Sequence, residues 1–258
     1  MSFRAKGYRR FGHDDQVARW AAAARETARE VAYDPDMQRK WLRHGKTWFV
    51  GVDALPNDPS GFVGGVALAG EVIDFLSDEG LLPDAWHRAQ LSITYPGYPG
   101  RDLTESEAAH HYRLARDAAH VDGLLPVGAN RRRMLKEPHS VILGLPLTPA
   151  APDASPLVVW EGSHRIMADA FATALGFRPL AEWPNVDLTD VYQSARRRVF
   201  EVCPRIELPA LPGEATVVHR LTLHGVAPWT PGAEAGPEGR MIAYFRPELP
   251  DIADWPQL

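Results

Sequence analysis

The sequence predicts a mainly β protein, a jelly roll of the cupin-like kind with flanking helices. Two observations carry that expectation. From Ser140 onward, short β-like runs recur between turn residues, which is the pattern of a sandwich or barrel. Helical periodicity dominates residues 1–88 and interrupts the later strands twice. At 258 residues an all-β sandwich or barrel is routinely one domain, and no repeat, low-complexity tract or linker divides the chain. We therefore expect a single domain over 1–258, with 1–88 a largely helical part packed on the core.

Taken in order, Asp14 to Val31 is the first expected helix. Asp14 and Asp15 supply its cap and first-turn acid, and Val17, Trp20, Ala21, Ala24 and Ala28 fall at helical spacing. A strand over Thr47 to Val52 ends at the breakers in Leu55-Pro56-Asn57-Asp58-Pro59. A second helix covers Gly70 to Glu79. The strand Ala89 to Tyr95 stops at a Pro- and Gly-rich loop, 96–100. Thr104-Glu105-Ser106-Glu107 has the form of a capping box and predicts a short helix through His110 and His111. Next comes a strand around His120, then strands over Ser140 to Leu147, Pro156 to Trp160, Val199 to Leu208, Ala215 to Leu221 and Arg240 to Arg246. The two interrupting helices run from His164 to Leu175, capped by Ser163, and from Leu188 to Arg198.

Composition excludes several classes of partner. Apolar residues make up 45% and charged residues 24% of the chain, and the net charge is -5, so neither nucleic acid nor a membrane surface is expected. The single cysteine, Cys203, rules out an intrachain disulfide and suits a reducing compartment as a small buried hydrophobe. The segment Met1 to Lys6 lacks the apolar run of a signal peptide, and no stretch approaches a membrane span. A cytoplasmic protein acting on a small molecule is the expectation.

The chemistry centres on Ala118-Ala119-His120-Val121-Asp122-Gly123. On a strand, His120 and Asp122 would share a face, because side chains alternate with period two. Their apolar neighbours make an unpaired carboxylate there costly, and a divalent metal is one partner that offsets the cost. His224, in Leu221-Thr222-Leu223-His224-Gly225-Val226, supplies the third group. Two histidines and one carboxylate, with other coordination positions open, make the facial triad of non-haem Fe(II) oxygenases. Alone the His-x-Asp pattern is weak among ten histidines. A buried His–Asp hydrogen bond is its plain account, and His13-Asp14-Asp15 is a rival at a polar helix start. Farther on, Arg240 opens the last strand, and the planar fork of arginine suits a carboxylate.

The ordered set resembles the phytanoyl-CoA dioxygenase branch of the Fe(II)/2-oxoglutarate-dependent oxygenases. The resemblance runs through His120-Val121-Asp122, the Gly162-Ser163-His164 segment after Leu157 to Trp160, the pair His219 and His224, and Arg240. It implies a double-stranded β-helix core and a dioxygenase that hydroxylates a C–H bond of a small molecule, releasing succinate and CO2. It further implies Fe(II) on His120, Asp122 and His224, 2-oxoglutarate as co-substrate with its distal carboxylate on Arg240, and O2. One departure stands: Arg240 follows His224 by sixteen residues (240 − 224), farther than is usual in the family, across a lengthened loop at 229–239. Arg246, on the same face of a regular strand, is the competitor.

Several residues receive lesser roles. Gln90, Thr94 and Ser140 are candidates for the near carboxylate of 2-oxoglutarate, with no choice among them. Trp160, Trp229 and Tyr244 are read as core or pocket lining. His219 is a core histidine and His164 shapes a turn. Arg131-Arg132-Arg133 is a solvated face unless it meets an anionic substrate at the mouth, and Arg196-Arg197-Arg198 complements a helix C-terminus. A cupin-like metal protein or isomerase that does not use 2-oxoglutarate is the alternative, and a sandwich without metal the third.

Overall fold

The computed structural model describes residues 3–258; Met1 and Ser2, at the head of the segment read for a leader, lie outside the described residues. In chain order the elements are α1 (Phe3–Lys6), β1 (Tyr8–Phe11), α2 (Asp15–Tyr33), α3 (Pro35–Trp41), β2 (Leu42–Arg43), β3 (Trp48–Phe49), α4 (Glu71–Asp78) and β4 (Gln90–Thr94). They continue with α5 (Glu107–Arg116), β5 (Leu124–Val127), β6 (Arg132–Leu135), β7 (Val141–Pro146), β8 (Leu157–Trp160), α6 (Ser163–Leu175), α7 (Thr189–Val202), β9 (Arg205–Leu208), β10 (Ala215–His219), β11 (His224–Val226) and β12 (Arg240–Phe245).

The architecture is mainly β, a jelly-roll arrangement of antiparallel sheets with flanking helices and no closed barrel. A seven-stranded sheet in the order β1-β10-β7-β12-β4-β3-β2 faces a three-stranded sheet, β11-β8-β9, and β5 and β6 form a separate hairpin. Alternation along the large sheet explains its two faces. Leu143, Leu145, Val217, Met241, Ala243, Leu91 and Ile93 point outward into one cluster with Val17, Trp20, Ala21, Ala24 and Ala28 of α2 and Val72, Phe75 and Leu76 of α4. The alanines let α2 lie close to the sheet. Each large side chain so buried contributes about 1.5–3 kcal/mol.

The opposite face looks inward and is partly polar. Ile142 and Val218 pack there on Leu157 and Val159 of the small sheet. Gln90, Ser92 and Thr94 lie on the same inner face, each in register with Tyr244, Ile242 and Arg240 respectively. All five residues of β4 are buried even though alternate ones are polar. That combination marks a cavity rather than a dry core.

Local signals placed most elements but missed or shifted others. The α2 helix starts where Asp14 accepts hydrogen bonds from the Gln16 and Val17 amides, and the adjacent His13–Asp15 pair is exposed, so the rival metal motif is a solvated cap. Ser106 rather than Thr104 caps α5, and Gly162 rather than Ser163 precedes α6, because the Ser163 hydroxyl instead accepts from the Leu223 amide. Residues 199–202, expected as strand, continue α7, since Val199 falls on its buried stripe. The strands β1, β5 and β6 and the helix α3 had no recognised sequence signal. Among the described residues no helix is long and apolar enough to cross a membrane.

Candidate metal centre

The chain does not reach His120 along a strand. It leaves α5 through Asp117 and Ala118, both in the left-handed region at φ 53° and 54°, a costly conformation for residues with a Cβ. The Arg205 guanidinium holds Asp117 in place with a two-pronged contact, Nε–Oδ2 2.7 Å and Nη2–Oδ1 2.9 Å. The Asp117 carbonyl accepts from the Val226 amide at 2.9 Å. His120 then makes a single antiparallel bridge to His224, each amide donating to the other's carbonyl, at 2.8 and 3.0 Å. Asp122 sits in the turn that follows. The strand expected there is therefore one bridge and a turn. The same-side placement of His120 and Asp122 comes from tertiary contacts rather than from strand alternation.

Two glycines make the approach possible. A Cβ on Gly225 would collide with the Asp117 carbonyl, and one on Gly123, at φ 88°, with the Glu137 carbonyl. Each follows a member of the triad directly. Gly225→Ala is expected to push the Asp117–His120 segment away from β11 and weaken divalent-metal affinity by about tenfold, an overpacking cost of ~1–3 kcal/mol. Isothermal titration with Co(II) checks it, and unchanged affinity in a folded variant would refute this account of the glycine.

His120, Asp122 and His224 each offer a ligand atom, and the three atoms lie within 4.8 Å of one another. His120 Nε2 stands 3.2 Å and His224 Nε2 3.8 Å from Asp122 Oδ1. The other ring nitrogens face carbonyls, His120 Nδ1 to Ala118 at 3.0 Å and His224 Nδ1 to Thr222 at 2.9 Å. A carbonyl only accepts, so both Nδ1 atoms carry a proton and both Nε2 atoms are turned toward Asp122, where a cation would take the place of any proton on His120 Nε2. Burial opposes charge on Asp122, but the His120 hydrogen bond and the surrounding positive groups hold its carboxyl well below the usual carboxylate range. Burial, with His120 beside it, pushes His224 down to about 4. The result is a neutral donor at His224, an anion at Asp122, and between them His120, which Asp122 draws toward its protonated form and whose proton a divalent ion would replace.

Two spaces meet at this cluster. An inner cavity of about 210 Å³ lies between the sheets, walled by Trp48, Gln90, Ser92, Tyr244 and Arg246 as well as the triad. An outer pocket of about 350 Å³ lies over His120 and Asp122. The His120 side chain is 51% exposed, against 10% for Asp122 and 9% for His224, so the cluster opens on the His120 side.

The two candidate arginines have different surroundings. Arg246 Nη1 stands 3.5 Å from Asp122 Oδ2, beside the cluster. Arg240 is buried and in register with Thr94, and neither residue lines the inner cavity. Its Nη1 and the Thr94 hydroxyl are both buried without a hydrogen-bond partner. Such an unpartnered pair is a place where an anionic group would be bound. Ser140 lies outside the inner cavity, in a neighbouring pocket with His139 and Arg246. His219 is a buried neutral histidine packed on His164 at 5.1 Å between ring centroids.

At the pocket mouth His44 stacks on Trp48, with centroids 5.5 Å apart and planes at 7°. Burial, reinforced by Arg113, depresses it from 6.5 to about 4. The unfolded chain then takes up this proton first as pH falls. Stability contributed by neutral His44 is present above about 6.5 and declines toward 4, by about 3 kcal/mol at most. Chemical denaturation between those pH values checks the sign, and His44→Gln is expected to flatten the decline.

No protein-family model matches the chain, and no curated protein matches it. Among solved structures, EvdMO1 is similar at 15% identity with a TM-score of 0.50, over 96% of this chain and 48% of its own, so this chain spans about half its length. SnoK, a non-heme α-ketoglutarate-dependent carbocyclase from nogalamycin biosynthesis, is similar at 15% identity over 98% of this chain and 85% of its own, with a TM-score of 0.46. EctD from S. alaskensis, solved with 2-oxoglutarate and 5-hydroxyectoine, is similar at 17% identity over 95% and 73%, with a TM-score of 0.41. At such identities the likeness is one of fold.

Proposed function

We propose that this chain is a non-haem Fe(II)- and 2-oxoglutarate-dependent dioxygenase of the phytanoyl-CoA dioxygenase-like kind. It hydroxylates a C–H bond of a small molecule and releases succinate and CO2. The observation that carries the reading is the His120–Asp122–His224 cluster with both Nε2 atoms turned to the Asp122 carboxylate, opening onto a cavity between the sheets. The unpartnered Arg240 Nη1 and Thr94 hydroxyl add the anion-binding feature a diacid needs. The solved structures of similar fold include α-ketoglutarate-dependent enzymes, which agrees with the reading without carrying it.

In this reading His120, Asp122 and His224 hold Fe(II), and Arg240 with Thr94 holds the distal carboxylate of 2-oxoglutarate. When bound, the iron and the diacid supply the O2-dependent oxidation of the C–H bond. The chain's own part is positioning and exclusion. The Nδ1–H donations to Ala118 and Thr222 fix both rings, and Asp122 keeps its charge at any working pH. Leu157, Val218 and Ile142 line the inner cavity and exclude bulk water. The half-exposed face of His120 leaves the substrate side open.

A second reading is a cupin-like metal protein or isomerase that does not use 2-oxoglutarate. That Arg240 does not line the inner cavity favours it. Anaerobic titration of the metal-free protein with Fe(II) and then 2-oxoglutarate separates the two, because only the oxygenase forms the visible charge-transfer band of the chelate. Fe(II) binding without the band would transfer the conclusion to the second reading.

A further inference from the structure

We propose that the outer pocket takes an anionic organic molecule, a carboxylate or phosphate carried on an aromatic or apolar body, with Arg133 and Arg196 as its two anion partners. The placement of that molecule as substrate rests on the oxygenase reading. The anion preference itself does not.

The two arginine runs of the sequence, 131–133 and 196–198, each send one member into this pocket, from β6 and from α7. Their neighbours are spoken for or exposed. Arg132 pairs with Asp187 and Asp190, Arg198 pairs with Glu201, and Arg131 and Arg197 face solvent. Arg133 and Arg196 have no carboxylate partner within 4.0 Å among the described residues. Arg196 lies over the rings of Tyr112 and Tyr192, 4.9 and 5.1 Å from their centroids. That stacking orients the guanidinium, and no carboxylate takes up its in-plane donors. Arg133 spends Nη1 on the Leu124 carbonyl at 3.1 Å. Its backbone is tied to α7, the amide donating to Thr189 Oγ1 at 2.7 Å and the carbonyl accepting from the Leu188 amide at 2.8 Å.

Of the remaining charges in the pocket, Arg113 pairs with Glu105 and Asp122 is surrounded by His120, His224 and Arg246, which leaves one carboxylate, Glu137, facing His139 at 3.3 Å. Against that one carboxylate stand two half-buried positive groups above the triad, Arg133 and Arg196, among Trp48, Tyr98, Leu124 and Leu125. Two partly desolvated guanidinium groups without counter-charge favour an anion and disfavour an ammonium group. The Tyr112 hydroxyl donates to the Ala119 carbonyl at 2.8 Å, so the surface that carries Arg196 is fixed directly to the segment holding His120. A molecule anchored by its anionic end at Arg133 and Arg196 would present its body to the open side of the cluster.

The test uses four probes of one shape and different charge: 1-naphthoate, 1-naphthyl phosphate, 1-naphthalenemethanol and 1-naphthylmethylamine. Binding to the full-length, chelator-treated protein is measured by saturation-transfer NMR and calorimetry. The two anions are expected to bind about tenfold or more tighter than the alcohol, and the amine weakest. Arg133→Gln and Arg196→Gln should each remove most of that advantage, while Arg197→Gln, at the exposed neighbour, should leave it intact. Equal binding of acid and alcohol, an advantage that survives both pocket variants, or no binding of any probe would overturn the proposal. Mn(II) electron paramagnetic resonance on the same samples keeps the two ideas separate. Anion preference without Mn(II) uptake supports the anion pocket and sinks the metal reading, whereas Mn(II) uptake without anion preference does the reverse.

Discussion

Asp122→Ala is expected to abolish Fe(II)-dependent turnover and to lower divalent-metal affinity by about 100-fold or more, the upper end of what supporting contacts alone cost. The reason is electrostatic as well as geometric. Asp122 is the one anion of the cluster, and Arg246 Nη1 stands 3.5 Å from its Oδ2. Without the carboxylate, an incoming dication meets two neutral imidazoles and an uncompensated guanidinium. Metal titration followed by succinate release reads both effects. Because Arg246 loses its buried counter-charge, the variant is also expected to lose stability, and circular dichroism checks that it is folded before metal is added. Retained metal affinity in a folded Asp122→Ala protein would remove Asp122 from the ligand set.

The second large effect is expected at Arg240. Arg240→Ala should leave Fe(II) affinity unchanged and weaken 2-oxoglutarate by about 30-fold or more, since truncating one partner of a buried charged hydrogen bond costs about 2–5 kcal/mol. Arg240→Lys should recover little, because the fork that engages both carboxylate oxygens is lost. Arg246→Ala is the matched control, expected to disturb metal affinity through Asp122 instead. The charge-transfer band of the Fe(II)–2-oxoglutarate chelate reports the diacid directly. If the band survives Arg240→Ala and is lost in Arg246→Ala with Fe(II) still bound, the distal-carboxylate role belongs to Arg246.

These expectations rest on different kinds of sequence signal. The pair Arg240 and Arg246 was expected to share a face because they are six apart, a reading that period-two alternation supplies, although β12 ends at Phe245, one residue short of Arg246. Which of the two stands beside Asp122 depends on where β12 ends relative to the triad. The motif His120-Val121-Asp122 was legible, but its reason was not. A strand was expected, and the chain instead makes one bridge and a turn, held by the left-handed Asp117 and Ala118 and by Arg205 from β9, eighty-eight residues away. No local pattern announces that contact. The same holds for Arg196, which looked like a helix-terminal charge until α7 packed beside α5 and β6 and turned it toward the pocket.

Strand and helix periodicity, turn residues and the ordered His–Asp–His–Arg set were enough to indicate a mainly β fold with flanking helices and to nominate its chemical residues. Those signals work because side-chain alternation, capping and glycine tolerance are properties of a few neighbouring residues. Tertiary structure alone decided the approach of His224 to His120, the position of Arg240 relative to the inner cavity, and the convergence of Arg133 and Arg196 over the triad. Each of these joins residues far apart in the chain, and their distances follow from how sheets and helices pack rather than from any short stretch of sequence.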